Sequence, residues 1–179
     1  MKRLLSLAHA VDRLTDLFGV VAKWAVLASC LISAGNALIR YFFNNSSNGW
    51  LEIQWYLFAA CVMLGAAQVL RVNEHVRVDL LYGRLSARAQ VLVDLFGLVV
   101  LLLPVIGLMS WMTWELFLSR FLSGEMSSNA GGLIRWPAVL MLPLGFGLVC
   151  LQALSEIVKR VAWLNNQYDM DTHYERPLQ

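Results

Sequence analysis

Charged and aromatic side chains gather at the two ends of one apolar stretch, which runs from Ile53 to Leu70 without a charged residue. A stretch of about 18 residues makes about 27 Å of helix, close to the ~30 Å hydrocarbon core of a bilayer. Before it, Arg40 is followed across a short polar segment by Trp50 and Glu52. After it comes a mixed-charge group: Arg71, Glu74, His75, Arg77 and Asp79. Each charged group is expected at one membrane surface, where its members can form ion pairs. At the first surface we expect an ion pair between Arg40 and Glu52.

The composition indicates a membrane protein. Of the 179 residues, 59% are hydrophobic and 15% are charged, and the mean hydropathy is +0.60. An average soluble domain is about 45–50% apolar and about 25% charged. The formal net charge is only +2 and the basic residues are scattered between apolar runs, so there is no nucleic-acid-binding patch.

The pattern of apolar runs predicts an all-α protein with four membrane spans in a single membrane domain. The spans are expected at about residues 20–42, 51–71, 90–115 and 136–157, followed by a tail at 158–179. Residues 1–18 are predicted to form an amphipathic helix, with this apolar stripe: Leu4, Leu7, Val11, Leu14 and Phe18. Such a helix usually lies in the membrane interface, and the alternative is a cytoplasmic extension of the first span. Pro104 predicts a kink in the third span, and residues 124–132 an irregular loop.

The distribution of lysine and arginine predicts the orientation. Eleven of the 14 lie in the N-terminal segment, the second connector and the tail, and three lie in or beside the first and third connectors. Because basic residues are enriched on the cytoplasmic side, both termini are expected to be cytoplasmic.

The middle of each span contains no Asp, Glu, Lys, Arg or His. Proteins that move ions or protons usually keep such groups there, although each costs about 2.5–3.5 kcal/mol to insert. Gln68 and Gln152 are the notable polar residues of the spans, and we expect them to form hydrogen bonds between helices. The three histidines do not suit a membrane haem, and the sequence has no metal-ligand, phosphate-binding or nucleophile motif. We therefore expect neither an enzyme nor a cofactor.

Two interpretations of the charged ends remain. In one, their charges are solvated or contact membrane lipids. In the other, they form docking surfaces on which charges pair with a partner subunit.

At these residues the sequence resembles a known family, the small membrane subunit (DctQ type) of tripartite ATP-independent periplasmic (TRAP) transporters. The resemblance covers about residues 15–163 and is carried by four pieces: Asn36 with Arg40-Tyr41, Trp50-Leu51-Glu52, Gly65-Ala66-Ala67, and Glu74 to Asp79. One departure is Ile53, since many family members have a second acidic residue there.

The resemblance implies a multi-pass subunit of a bacterial inner membrane that braces a large TRAP membrane subunit. That partner would move a carboxylate-bearing solute with sodium, after a periplasmic substrate-binding protein has captured the solute. The residues expected to be structural or to face the partner are those at the two charged ends, and the binding protein is expected to dock on Arg120, Glu125 and Arg135. The alternative is a stand-alone four-span protein, either a homo-oligomeric channel or an accessory subunit of another complex.

Overall fold

Four long helices make up the fold of the computed structural model, which describes residues 1–45, 47–73, 82 and 85–169. They are α1 (Lys2–Phe43), α2 (Asn48–Val72), α3 (Ala87–Ser123) and α4 (Trp136–Leu164). Each is long and apolar enough to cross a membrane, which confirms the predicted all-α protein with four spans. We call the end of the bundle with residues 2 and 164 the terminal end, and the end with residues 44–45 and 124–135 the loop end.

The helix α1 is continuous over 42 residues, about 63 Å at 1.5 Å per residue. Residues 2–18 and the first span therefore belong to one unbroken helix; whether the first turns lie in the membrane interface or extend into the cytoplasm stays a prediction. The face that packs against the bundle consists of small and polar residues spaced three or four apart: Ala8, Asp12, Thr15, Gly19, Ala22, Ala25 and Ser29. Leu4, Leu7 and Leu14 of the predicted apolar stripe are exposed on the surface of the bundle. Small side chains bring helices close together, which favours this choice of face.

The helix α4 is the central element, since it packs against α1, α2 and α3. The hydrophobic core consists of Ala22, Leu64, Ala67, Leu148 and Val149. α2 and α4 approach closely at Gly145, where an added Cβ atom would lie 2.6 Å from the Met63 carbonyl oxygen. A residue without a side chain is therefore required at this crossing.

The helix α3 changes its winding in the middle. Ala87–Phe96 and Leu103–Ser123 are α-helical, and Gly97–Leu102 between them is π-helical. The N–H of Leu103 donates to the carbonyl of Leu98, five residues earlier. The wider turns end at Leu102, two residues before Pro104, which has no N–H to donate to the preceding turn. The kink predicted at Pro104 stays a prediction, and the structure shows a π-helical segment just before this proline.

Candidate functional site

At the loop end, Glu52 is buried in the first turns of α2 and is only 5% exposed. Its Oε1 accepts hydrogen bonds from Ser127 Oγ and from Asn129 Nδ2, the latter at 2.8 Å. Its Oε2 accepts a hydrogen bond from the backbone N–H of Leu133 at 2.7 Å. The predicted ion pair with Arg40 is therefore wrong. The carboxylate is directed to the loop before α4, and the three donors there satisfy it.

We call the segment that Glu52 holds, residues 124–135, the hairpin loop. It contains no regular helix or strand, as predicted for residues 124–132, and has one isolated β-bridge between Met126 and Ile134. The Ser127 N–H donates to the Leu133 carbonyl at 2.8 Å, and the Arg135 N–H donates to the Glu125 carbonyl at 3.0 Å. Gly131 has φ +70°, a conformation that side-chain-bearing residues rarely adopt. The loop owes its shape to its own backbone hydrogen bonds and to the buried carboxylate beneath it.

Two further hydrogen bonds connect the hairpin loop to α2. Asn48 Nδ2 donates to the Ala130 carbonyl at 3.0 Å, and the Tyr56 hydroxyl donates to the Ile134 carbonyl at 3.1 Å. The hairpin loop and the start of α2 therefore form one surface at the loop end.

The three residues predicted to dock a binding protein lie together at the base of this loop. Glu125 forms ion pairs with Arg120 and with Arg135, the latter at 2.9 Å. The three side chains are 39%, 28% and 44% exposed in the order Arg120, Glu125, Arg135. One carboxylate between two guanidinium groups leaves a net positive charge on an accessible surface.

Arg40 and Trp50, the other predicted residues at this end, do not join the Glu52 site. Arg40 is exposed and lines an open groove on α1. Trp50 is 51% exposed on α2. Although Arg40 and Trp50 are near Glu52 in the sequence, both side chains are exposed and neither contributes a hydrogen bond to the Glu52 carboxylate.

At the terminal end the structure forms a buried charge cluster that sequence reasoning missed. Its charged members are Asp12, Asp94, Glu156, Lys159 and Arg160, and its uncharged members are Thr15, Gln152 and Ser155. Lys159 Nζ lies 3.2 Å from both carboxylate oxygens of Asp12 and also pairs with Glu156. Asp12, Glu156 and Lys159 are 8%, 6% and 7% exposed. Buried charges are tolerated when each is paired and hydrogen-bonded, as these are.

Hydrogen bonds extend the cluster across three helices. Gln152 accepts from Thr15 Oγ1 at 2.9 Å and donates to Asp12 Oδ1 at 2.9 Å, so its predicted role between helices is confirmed. Arg160 pairs with Glu156 on α4 and, at 3.2 Å, with Asp94 on α3. The cluster thus joins the start of α1 and the start of α3 to the end of α4.

Two signals in the sequence pointed to this cluster. Glu156, Lys159 and Arg160 stand at the spacing of neighbours on one helix face. Asp12 stands in the stripe of small residues along α1.

The predicted charged group at this end is described only in part. Arg71 forms an ion pair with Asp16 of α1 at 2.7 Å. Glu74, His75, Arg77 and Asp79 lie outside the described residues. Within the described ranges, no group of three or more His, Cys, Asp or Glu side chains is arranged to hold a metal ion.

Four apolar helices, whose buried charges are paired or hydrogen-bonded near the helix ends, define a multi-pass helical membrane protein. The family model described as "Tripartite ATP-independent periplasmic transporters, DctQ component" matches residues 29–162. The chain is 30% identical over 120 residues to the "Putative TRAP transporter small permease protein" of Haemophilus influenzae (strain ATCC 51907 / DSM 11121 / KW20 / Rd), with 65% of this chain and 71% of that protein covered. No solved structure matches the chain significantly.

The chain therefore belongs to the DctQ family of TRAP transporter small permeases. It is a component of a transporter and a multi-pass protein of the inner membrane.

Proposed function

We propose that this small permease braces a large TRAP membrane subunit during sodium-driven uptake of a carboxylate-bearing solute. In this proposal a periplasmic binding protein delivers the solute, and the solute and sodium sites lie in the large subunit. The stand-alone channel or accessory subunit is the weaker alternative, because the chain belongs to a family of transporter components.

The observation that supports the proposal is the position and pairing of the charges. The middle of each span has no ionisable acidic or basic side chain. The charges of the buried cluster and of Glu52 lie near the ends of the helices, where partners in the same chain satisfy them. A self-sufficient ion-coupled carrier needs polar ligands for its ion and solute within the membrane. A subunit that packs sideways against a partner needs an apolar outer surface.

The outer surface of α3 has this character. Large apolar side chains such as Leu101, Leu108 and Trp111 are 60%, 56% and 67% exposed. Lipid can cover such a surface as well as a partner protein can. The proposal is therefore tested by whether the chain associates with the large subunit.

Association is tested by purifying the full chain, with an affinity tag on its tail, from native membranes in mild detergent. We expect the large TRAP subunit to co-purify at a one-to-one ratio without the binding protein. The large subunit of an unrelated TRAP system serves as a control and should not co-purify. Recovery of the chain only as a homo-oligomer would contradict the proposal.

We also propose that the binding protein docks on the hairpin loop through Arg120, Glu125 and Arg135. The exposure of this ion-paired group and the ordered backbone that carries it support this role. Charge reversal at each of the three positions should reduce uptake while the membrane complex stays intact. Reversal of the exposed Arg88 at the terminal end is the matched control. Full uptake in all three variants would refute the docking role.

Both proposals need the predicted orientation, with the loop end in the periplasm. Asn45 and Asn165 are exposed near opposite ends of the bundle. In a background with serine at the three native cysteine positions, a membrane-impermeant thiol reagent should label an Asn45→Cys variant in cells whose outer membrane alone is permeable. An Asn165→Cys variant should be labelled only after the inner membrane is opened. The reverse pattern would invert the topology.

A further inference from the structure

An open polar groove of about 540 Å³ lies on the outer surface of α1 at the loop end. It is lined by one face of the last turns of α1 and by one residue of α2: Ser33, Asn36, Ala37, Arg40, Tyr41, Asn44 and Leu51. The α1 residues are spaced three or four apart, so they form a continuous stripe. Hydroxyl, amide and guanidinium groups on this stripe make the groove rich in hydrogen-bond donors.

Arg40 gives the groove a positive charge that the described residues do not neutralise. Within the described part of the chain, its guanidinium forms no ion pair and no hydrogen bond. The sequence has no acidic residue between Asp16 and Glu52. Glu52, the nearest carboxylate along the chain, is buried beneath the hairpin loop. The groove is therefore complementary to an anion.

The position of Arg40 on α1 matches the depth of lipid phosphates. Arg40 follows Lys23 across an uncharged stretch, and the two lie about 26 Å apart along the helix axis at 1.5 Å per residue. Tyr41, Phe42 and Phe43 beside Arg40 are 82%, 69% and 75% exposed. Exposed aromatic rings next to a basic residue are typical of the headgroup level of a bilayer.

We propose that this groove, the Arg40 groove, binds the phosphate of a membrane phospholipid and prefers phosphatidylglycerol to phosphatidylethanolamine. The planar guanidinium of Arg40 suits two phosphate oxygens at once. Asn44 lines the water-facing end of the same groove, where it can bind a hydroxyl group of a glycerol headgroup. Asn36 and Ser33 lie about 6 and 10 Å deeper than Arg40 along α1, at the level of the ester groups that both lipids share. The ammonium group of phosphatidylethanolamine would meet no carboxylate in this lining.

The C-terminus of a helix disfavours an anion, and this effect opposes the proposed site. It is reduced here because Asn44, in a left-handed conformation, donates its N–H to the Arg40 carbonyl at 3.1 Å. The full positive charge of Arg40 exceeds the partial charge that remains on the helix end.

The test uses the purified full chain, stripped of lipid in detergent, with lipid binding followed by native mass spectrometry. Dioleoylphosphatidylglycerol should bind one equivalent more tightly than dioleoylphosphatidylethanolamine does. An Arg40→Gln variant should lose about tenfold or more in affinity for phosphatidylglycerol, since charge-assisted hydrogen bonds are lost. Lys23→Gln, which removes the same charge from an exposed site on α1, is the matched control and should retain the tight equivalent.

Asn44→Gly, which keeps the charge of Arg40 and suits the left-handed conformation at this position, should weaken phosphatidylglycerol more than phosphatidylethanolamine, and it provides a second test if Arg40→Gln does not fold. Inorganic phosphate should compete only weakly, because a soluble ion lacks the acyl chains that place a lipid on the helix. Equal losses in the Arg40 and Lys23 variants would overturn the proposal, since they would indicate unspecific attraction. Unchanged lipid binding with loss of co-purification in Arg40→Gln would also overturn it, and would assign the groove to a protein carboxylate.

Discussion

Replacement of Lys159 by methionine tests whether the buried charge cluster holds α1 on α4. The ammonium group lies 3.2 Å from both oxygens of Asp12 and also donates to Glu156. Methionine has a similar volume but leaves two carboxylates without this cation. Removal of one partner from a buried ion pair costs about 3–5 kcal/mol. We expect a value near the lower end, about 3 kcal/mol, because Gln152 still donates to Asp12 and Arg160 still pairs with Glu156.

The free energy of unfolding is measured by equilibrium denaturation of the full chain in mixed micelles. Lys23→Met removes an exposed lysine from α1, and should change stability by less than about 0.5 kcal/mol. In a double-mutant cycle, Asp12→Asn combined with Lys159→Met should cost about 1–3 kcal/mol less than the sum of the two single changes. Additive costs, or a Lys159→Met variant as stable as the wild type, would refute the assigned coupling between the helices.

Glu52→Gln should increase the hydrogen exchange of the hairpin-loop amides about tenfold or more, because an amide cannot accept all three of the hydrogen bonds that the carboxylate accepts. Glu125→Gln, which removes a partly exposed carboxylate from the same loop, should have a smaller effect, and equal effects would contradict the central role of Glu52. Gly145→Ala should destabilise the protein by about 1–3 kcal/mol, because the new methyl group forces α2 and α4 apart. Gly147→Ala is its control, since a Cβ atom at that position of α4 meets nothing within 4 Å; equal costs would show that the helix crossing is not tight at Gly145.

The four spans were predictable because each depends on local hydropathy alone. A run of about 18–20 uncharged residues is enough to define a membrane helix wherever its neighbours lie. The hydrogen bonds of Gln152 were predictable for a similar reason, since a polar side chain in a span needs a partner.

The buried charge cluster was not predicted, because its members are far apart in the sequence. Asp12 and Lys159 are separated by 147 positions, and the signals within each segment do not indicate that the two side chains meet. Glu156 and Arg160 follow an uncharged run that is already long enough to span the bilayer. The fourth span was therefore predicted to end at about residue 157, with Glu156 at its edge and Arg160 in the tail. The structure continues α4 to Leu164 and buries both side chains.

Helix α1 shows why periodicity alone does not identify the packed face of a membrane helix. In water, the leucine stripe Leu4, Leu7 and Leu14 would be the face to bury. Against lipid, close contact between helices favours small residues, and α1 packs through Ala8, Thr15 and Gly19. The prediction of an Arg40–Glu52 ion pair was wrong for a different reason. The three donors to Glu52 come from the hairpin loop, about 75–81 residues further along the chain, and no local sequence pattern predicts this contact.

The central claim is that the chain braces a transporter and does not transport alone. Its most direct test is sodium-driven solute uptake by proteoliposomes that contain the full 179-residue chain. We predict no uptake with the chain alone or with the chain and the binding protein, and uptake once the large subunit is also reconstituted. Sodium-dependent uptake by proteoliposomes that contain only this chain would contradict the account.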